Sequence, residues 1–282
     1  MQQPFGERLH AAMAQYGPLC VGIDPHPKLL AQWGLPDDVG GLRQFALTVV
    51  AASAGQAAAV KPQSALFERY GARGVGVLAE VIAEARAHGV ICIVDAKRGD
   101  IGSTMDGYAH AYLADDSDLA GDAVTLSPYL GFGSLAPAIV QAQASGRGVF
   151  ILCLTSNPEG AAVQHAVNQH TGNSVAKQIA QAAAAANHGL SPLGDVGLVV
   201  GATVGSAVTD LGIDLAAVNG PLLAPGIGAQ GAGAAQLSQV FGEARPNVLA
   251  SSSREILGAG PHKADLIQAI VKTRADVVAA LA

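Results

Sequence analysis

The chain has 282 residues, 50% of them apolar and 13% charged, with a formal net charge of −6. Such a composition argues against disorder, and the acidic balance argues against a general nucleic-acid binder, which needs a basic stripe. The length suits one large α/β barrel or two smaller domains.

The N-terminus, Met1-Gln-Gln-Pro-Phe-Gly-Glu-Arg8, has no basic segment followed by an apolar run, so no signal peptide is expected. No uninterrupted apolar stretch is long enough to span a membrane. Cys20, Cys92 and Cys153 each sit inside an apolar run and read as small buried hydrophobes in a reducing cytoplasm.

In chain order, Phe5–Tyr16 reads as a short amphipathic helix. After it one unit keeps returning: a brief apolar run, a loop marked by Gly, Pro or Asp, and an Ala-rich helical segment. The apolar runs are 19–23, 57–60, 90–94, 123–126, 149–154, 196–200, 222–224 and 248–250. Most are continuously apolar, as parallel strands covered on both faces must be. Helices are expected at 41–54, 75–88, 104–114, 135–145, 174–187, 206–212, 232–242 and 264–281. Eight βα units without a linker predict a single (β/α)8 barrel over residues 1–282, with the short N-terminal helix ahead of it. A doubly wound open sheet is the alternative, since alternation does not prove closure. The fifth unit is the longest, and its loop, 157–172, is polar and helix-poor.

Barrel active sites form at the C-terminal strand ends. Here those ends carry Asp24, then Lys61-Pro62-Gln63, then Asp95 and Lys97 with Asp100 beyond. Later ends carry Thr155-Ser156-Asn157-Pro158, a glycine-rich loop from Pro225 to Gly233, and Ser251-Ser-Ser-Arg254. Polar and charged groups thus converge on one rim, which points to an enzyme.

Residues i and i+2 of a strand share a face, so Asp95 and Lys97 point the same way. Charges at the lip of a core are costly unless they neutralise one another. Lys61, Asp95, Lys97 and Asp100 roughly cancel, and each acid favours a protonated lysine. A Schiff-base lysine needs a lowered pKa, so carboxylate neighbours favour Lys97 as a cationic proton donor instead. A structural ion-pair network and a divalent-metal site on Asp95 and Asp100 are the other readings, although the interposed lysine competes with a metal. Gly226-x-Gly228-x-x-Gly231 matches a dinucleotide fingerprint, but no acidic residue ends the next strand. Its position, with Gln230 and with Arg254 close behind, favours a phosphomonoester site. The scattered histidines form no metal or nucleophile motif, and Tyr108 and Tyr112 read as packing residues.

Asp95-Ala-Lys97-Arg98-Gly99-Asp100-Ile101 resembles the D-x-K-R-x-D-I signature of the orotidine 5′-phosphate decarboxylases. Val21-Gly-Ile-Asp24, Lys61-Pro-Gln63, Thr155-Ser-Asn-Pro158, Pro225-Gly-Ile-Gly-Ala-Gln230 and the Arg254 loop are similar to the same family, in its longer bacterial subgroup. The resemblance implies that Lys97 donates a proton to C6 of the pyrimidine, that Asp95 lies beside the departing carboxylate, and that Lys61 completes the network and touches the ribose. It further implies Asp24 on the ribose hydroxyls and Ser156 on the pyrimidine edge. Pro225, Gly228, Gln230 and Arg254 would lie around the 5′-phosphate. It implies no cofactor and no metal, and a homodimer in which Asp100, Ile101 and Thr104 reach into the neighbouring subunit's site. Related sugar-phosphate barrels share D-x-K-x-x-D but use Mg²⁺, and a catalytically silent phosphate-binding barrel is the reading from another class.

Overall fold

The computed structural model describes residues 3–227 and 232–282. Eight parallel strands close into a barrel in sequence order: β1 Leu19–Ile23, β2 Ala59–Pro62, β3 Ile91–Arg98, β4 Ala123–Leu126, β5 Gly148–Leu154, β6 Val196–Val200, β7 Leu222–Pro225 and β8 Val248–Ser252. Closure is made by β8 pairing back onto β1, with Cys20 opposite Ser251. That pairing excludes the open doubly wound sheet.

Strand alternation sorts the side chains into two layers. Cys20, Ala59, Ile91, Ile93, Ala123, Phe150, Val199, Leu223 and Leu249 point inward and form one cluster. Their neighbours, among them Val21, Val60, Cys92, Val94, Val124 and Ile151, point outward against the helices. All three cysteines are buried and unpaired.

The helix Phe5–Tyr16 closes the bottom of the barrel, with Phe5, Leu9 and Met13 joining the inward cluster. The rings of Phe5 and Phe150 meet edge to face at 5.9 Å. Room for them comes from two glycines: a Cβ on Gly148 would stand 2.1 Å from the Phe5 ring, and one on Gly197 would stand 2.7 Å from Phe150. The helix is tied down by Arg8, which pairs with Asp122 and donates to the Gly146 carbonyl at 2.9 Å. The Gly6 amide adds a bond to Asp195 at 2.8 Å.

Several boundaries differ from those expected. β2 starts at Ala59 rather than 57, and β3 runs on through Asp95 and Lys97 to Arg98 because Arg98 pairs with Leu126. Asp38 caps the helix Val39–Ser53 through the Gly41 amide at 2.9 Å, which moves its start ahead of 41. The sixth unit keeps only one helical turn, Ala207–Asp210. Short helices absent from the expected set occupy βα loops at Pro27–Gln32, Ser64–Glu68, Ala161–Gln164 and Arg254–Leu257. Among the described residues no helix is long and apolar enough to cross a membrane.

Candidate active site

The inward positions turn polar one residue above the apolar core. On β1 the sequence Cys20, Gly22 places Asp24 next in the alternation; on β2 Ala59 is followed by Lys61 and Gln63. On β3 Ile91 and Ile93 are followed by Asp95 and Lys97, and on β4 Ala123 is followed by Thr125. These side chains line one wall of a cavity of about 620 Å³ at the C-terminal mouth. Leu152, Val199 and Leu223 form an apolar wall, and Pro225, Ser251 to Ser253 and Arg254 complete the rim.

Asp95 is the hub. Its Oδ2 accepts from Lys61 Nζ at 2.7 Å, and its Oδ1 accepts from Lys97 Nζ at 2.6 Å and from the Thr125 hydroxyl at 2.8 Å. The carboxylate is only 6% exposed. Burial alone would raise its pKa, but the two ammonium groups hold it well below the ordinary carboxylate range. For Lys61 burial pulls downward, and the Asp95 and Asp24 carboxylates outweigh it and lift the amine above its ordinary value. With Asp24 on the same wall, two ammoniums face two carboxylates, which makes a buried charge set affordable. Cys20, one layer below, is pushed up to about 12 by burial and stays a thiol.

Lys97 has a backbone φ of +47°, in the left-handed region that a side-chain-bearing residue enters at a cost of roughly 1–2 kcal/mol. The β3–β4 register is irregular between Val94 and Arg98, and the Lys97 amide turns out of the ladder to donate to Thr125 Oγ1 at 2.9 Å. Its side chain is 43% exposed, so the ammonium faces the open cavity while bonded to a buried acid. The next residue, Arg98, points to the other face. There it pairs with Glu68, donates to the Tyr112 hydroxyl at 3.2 Å, and lies 5.7 Å from the ring centroids of both Tyr108 and Tyr112. These tyrosines pack the anchor of the strand end. Gly99 follows because a Cβ there would come within 2.4 Å of the Ser127 carbonyl.

Of the expected site residues, Lys61, Asp95 and Lys97 are joined directly, and Asp24, Pro225 and Arg254 share their cavity. The Asp24 Oδ1 is buried without a hydrogen-bond partner, an acceptor on the cavity side of the strand that suits a hydroxyl donor. Asp100, Ile101 and Thr104 do not line this chain's cavity: Asp100 accepts from the Ile101 amide at 2.8 Å, and Ile101 is 61% exposed. Ser156 is exposed beside Gly201, and its neighbour Thr155 lines the wall instead. Gly228 and Gln230 lie outside the described residues. Thr125 and the apolar wall were not anticipated. The one trace of Thr125 in the sequence is a hydroxyl two places after Ala123 in an otherwise apolar run. Among the described residues no three His, Cys, Asp or Glu side chains are grouped to hold a metal ion.

The model of the orotidine 5′-phosphate decarboxylase / HUMPS family matches residues 17–269. A Salinispora arenicola protein named orotidine 5′-phosphate decarboxylase is 58% identical over 279 residues, 99% of each chain. The chain belongs to the orotidine 5′-phosphate decarboxylase family. A solved chain from Streptomyces avermitilis superposes with a TM-score of 0.94 at 55% identity, covering 99% of this chain and 96% of that one. The Leishmania donovani OMP decarboxylase superposes at 0.77 with 29% identity over 99% of both. The helix Phe5–Tyr16 precedes the residues that the family model matches.

Proposed function

We propose that the chain is an orotidine 5′-phosphate decarboxylase, releasing CO₂ from C6 of the pyrimidine to give UMP in pyrimidine synthesis. The observation that carries this reading is the Lys61–Asp95–Lys97 network, an ammonium held at the open side of a cavity by a buried carboxylate whose pKa its two ammonium partners hold down.

Breaking the bond from C6 to the carboxylate carbon leaves its electron pair on C6, with no conjugated carbonyl or imine to take it up. A fixed cation aimed at that atom is the remaining source of stabilisation, and its strength grows where water is excluded. Lys97 supplies the cation and then the proton, so that a C6–H bond forms and a neutral amine remains, to be reprotonated from solvent. Asp95 holds the Lys97 ammonium in place at 2.6 Å beforehand and stands where the substrate carboxylate departs. Asp24 accepts from the ribose hydroxyls, and Lys61 balances the carboxylates and touches the ribose. Ser156 meets the pyrimidine edge as its loop closes, and Pro225, Gly228, Gln230 and Arg254 surround the 5′-phosphate. Binding energy from the distant phosphate then orders the reacting end.

In this reading the whole chain, 1–282, is one catalytic domain working in the cytoplasm without cofactor or metal. Two copies pair so that Asp100, Ile101 and Thr104 of each enter the other's site. Their placement outside their own cavity, and the exposure of Ile101, support that assignment.

The test is to mix the protein with orotidine 5′-phosphate in excess EDTA and follow the pyrimidine absorbance. Turnover is expected without added metal. No turnover, or turnover that requires added Mg²⁺, contradicts the proposal.

A further inference from the structure

We propose that Thr125 is a positioning residue of the decarboxylation, its hydroxyl fixing both the Asp95 carboxylate and the backbone of Lys97. This rests on the functional reading above. Thr125 is 1% exposed on β4, and its oxygen lies within hydrogen-bonding distance of two groups on β3.

The direction of these bonds follows from the chemistry of a hydroxyl. The Lys97 amide can only donate, so Thr125 Oγ1 accepts from it at 2.9 Å. The ionised Asp95 can only accept, so the hydroxyl proton is committed to Oδ1 at 2.8 Å. One β-branched side chain, stiff about χ1, therefore ties the two catalytic residues together at a fixed distance.

Two features show why the reaction needs such a tie. Lys97 is held with φ at +47°, and its amide has left the strand ladder, so the Thr125 oxygen stabilises a conformation the chain would otherwise avoid. Secondly, Oδ1 is shared with the ammonium that must be spent. When Lys97 swings from Oδ1 to deliver its proton to C6, that oxygen loses a donor at 2.6 Å. The Thr125 hydroxyl stays, because the reaction does not consume it, and so Asp95 keeps its orientation through the proton transfer. The next inward side chains round the cavity, Leu152 and Val199, are apolar and offer no substitute donor.

Thr125→Val keeps the branched shape and removes the hydroxyl, and Thr125→Ser keeps the hydroxyl. Thr125→Val is expected to lower kcat about 100-fold, the size of effect that a small misplacement of reacting groups produces, with KM and the Kd for UMP within about threefold of wild type. Thr125→Ser is expected to recover kcat to within about fivefold of wild type. In hydrogen–deuterium exchange the Lys97 amide is expected to open roughly tenfold more readily in Thr125→Val and to stay protected in Thr125→Ser. Wild-type kcat in Thr125→Val, or equal losses in both variants, overturns the proposal. Should the wild-type protein fail to decarboxylate the nucleotide, the functional reading falls; unchanged Lys97 protection in Thr125→Val separately overturns the Thr125 tie. If Thr125→Val does not fold, Thr125→Ala takes its place with the same expected kcat and exchange results.

Discussion

Asp95 is surrounded by donors that differ in what the reaction asks of them. All three bond to its carboxylate, and in the proposed reaction Lys97 gives up its proton, Lys61 balances charge and Thr125 holds the carboxylate still. The folded-state shifts set how this network responds to pH. Asp95 lies below its unfolded value of about 3.9, so its stabilisation is complete above that pH and is lost as pH falls through the depressed folded value. Lys61 lies above its unfolded value of about 10.4, so its contribution is complete below that pH and fades only as pH rises beyond it. Between about pH 5 and 9 both are constant. The unfolding free-energy difference between wild type and Asp95→Asn, measured in urea, is therefore expected to be flat over that range and to shrink below about pH 4. A step between pH 5 and 9 would contradict the charge assignment. At this scale the two-residue spacing of Asp95 and Lys97 was legible from strand alternation alone. Thr125 was not, because its partners lie 28 and 30 positions away and only the β3–β4 register brings them together.

The element that most constrains the barrel floor is the helix Phe5–Tyr16. Its amphipathic pattern was readable, but nothing local said that its apolar face would enter the barrel instead of packing outside it. Phe5 is fully buried, its ring lying against Gly148 and edge to face with Phe150. Phe5→Ala is expected to cost about 4 kcal/mol in urea unfolding, the usual range for removing a buried aromatic ring. A loss of less than about 1 kcal/mol would mean that the helix does not plug the core. Strand positions were legible because a parallel strand covered on both faces must be apolar throughout. Their upper ends were not, since β3 continues into charged residues where pairing with Leu126 outweighs hydropathy. The four- to six-residue helices in the βα loops were missed for a related reason: they are too short to establish a period.

For the whole molecule, eight βα units made the barrel the leading expectation, and only the β8–β1 pairing closes it. The convergence of charge on one rim was likewise legible, because every strand delivers its end to the same face. What a single chain's sequence does not spell out is which rim residues serve its own cavity. Lys61, Asp95 and Lys97 do, whereas Asp100 sits on the loop leading away from it. We propose that catalysis combines Lys97 of one barrel with Asp100 of its partner in a dimer. Its most direct test is to purify Lys97→Ala and Asp100→Ala separately, then mix them under conditions that exchange subunits and assay decarboxylation. Each variant alone is expected to be nearly silent. Random pairing makes about half of the dimers mixed, each with one intact site of two, so activity should return to roughly a quarter of wild type. A mixture no more active than its separate components would contradict the claim.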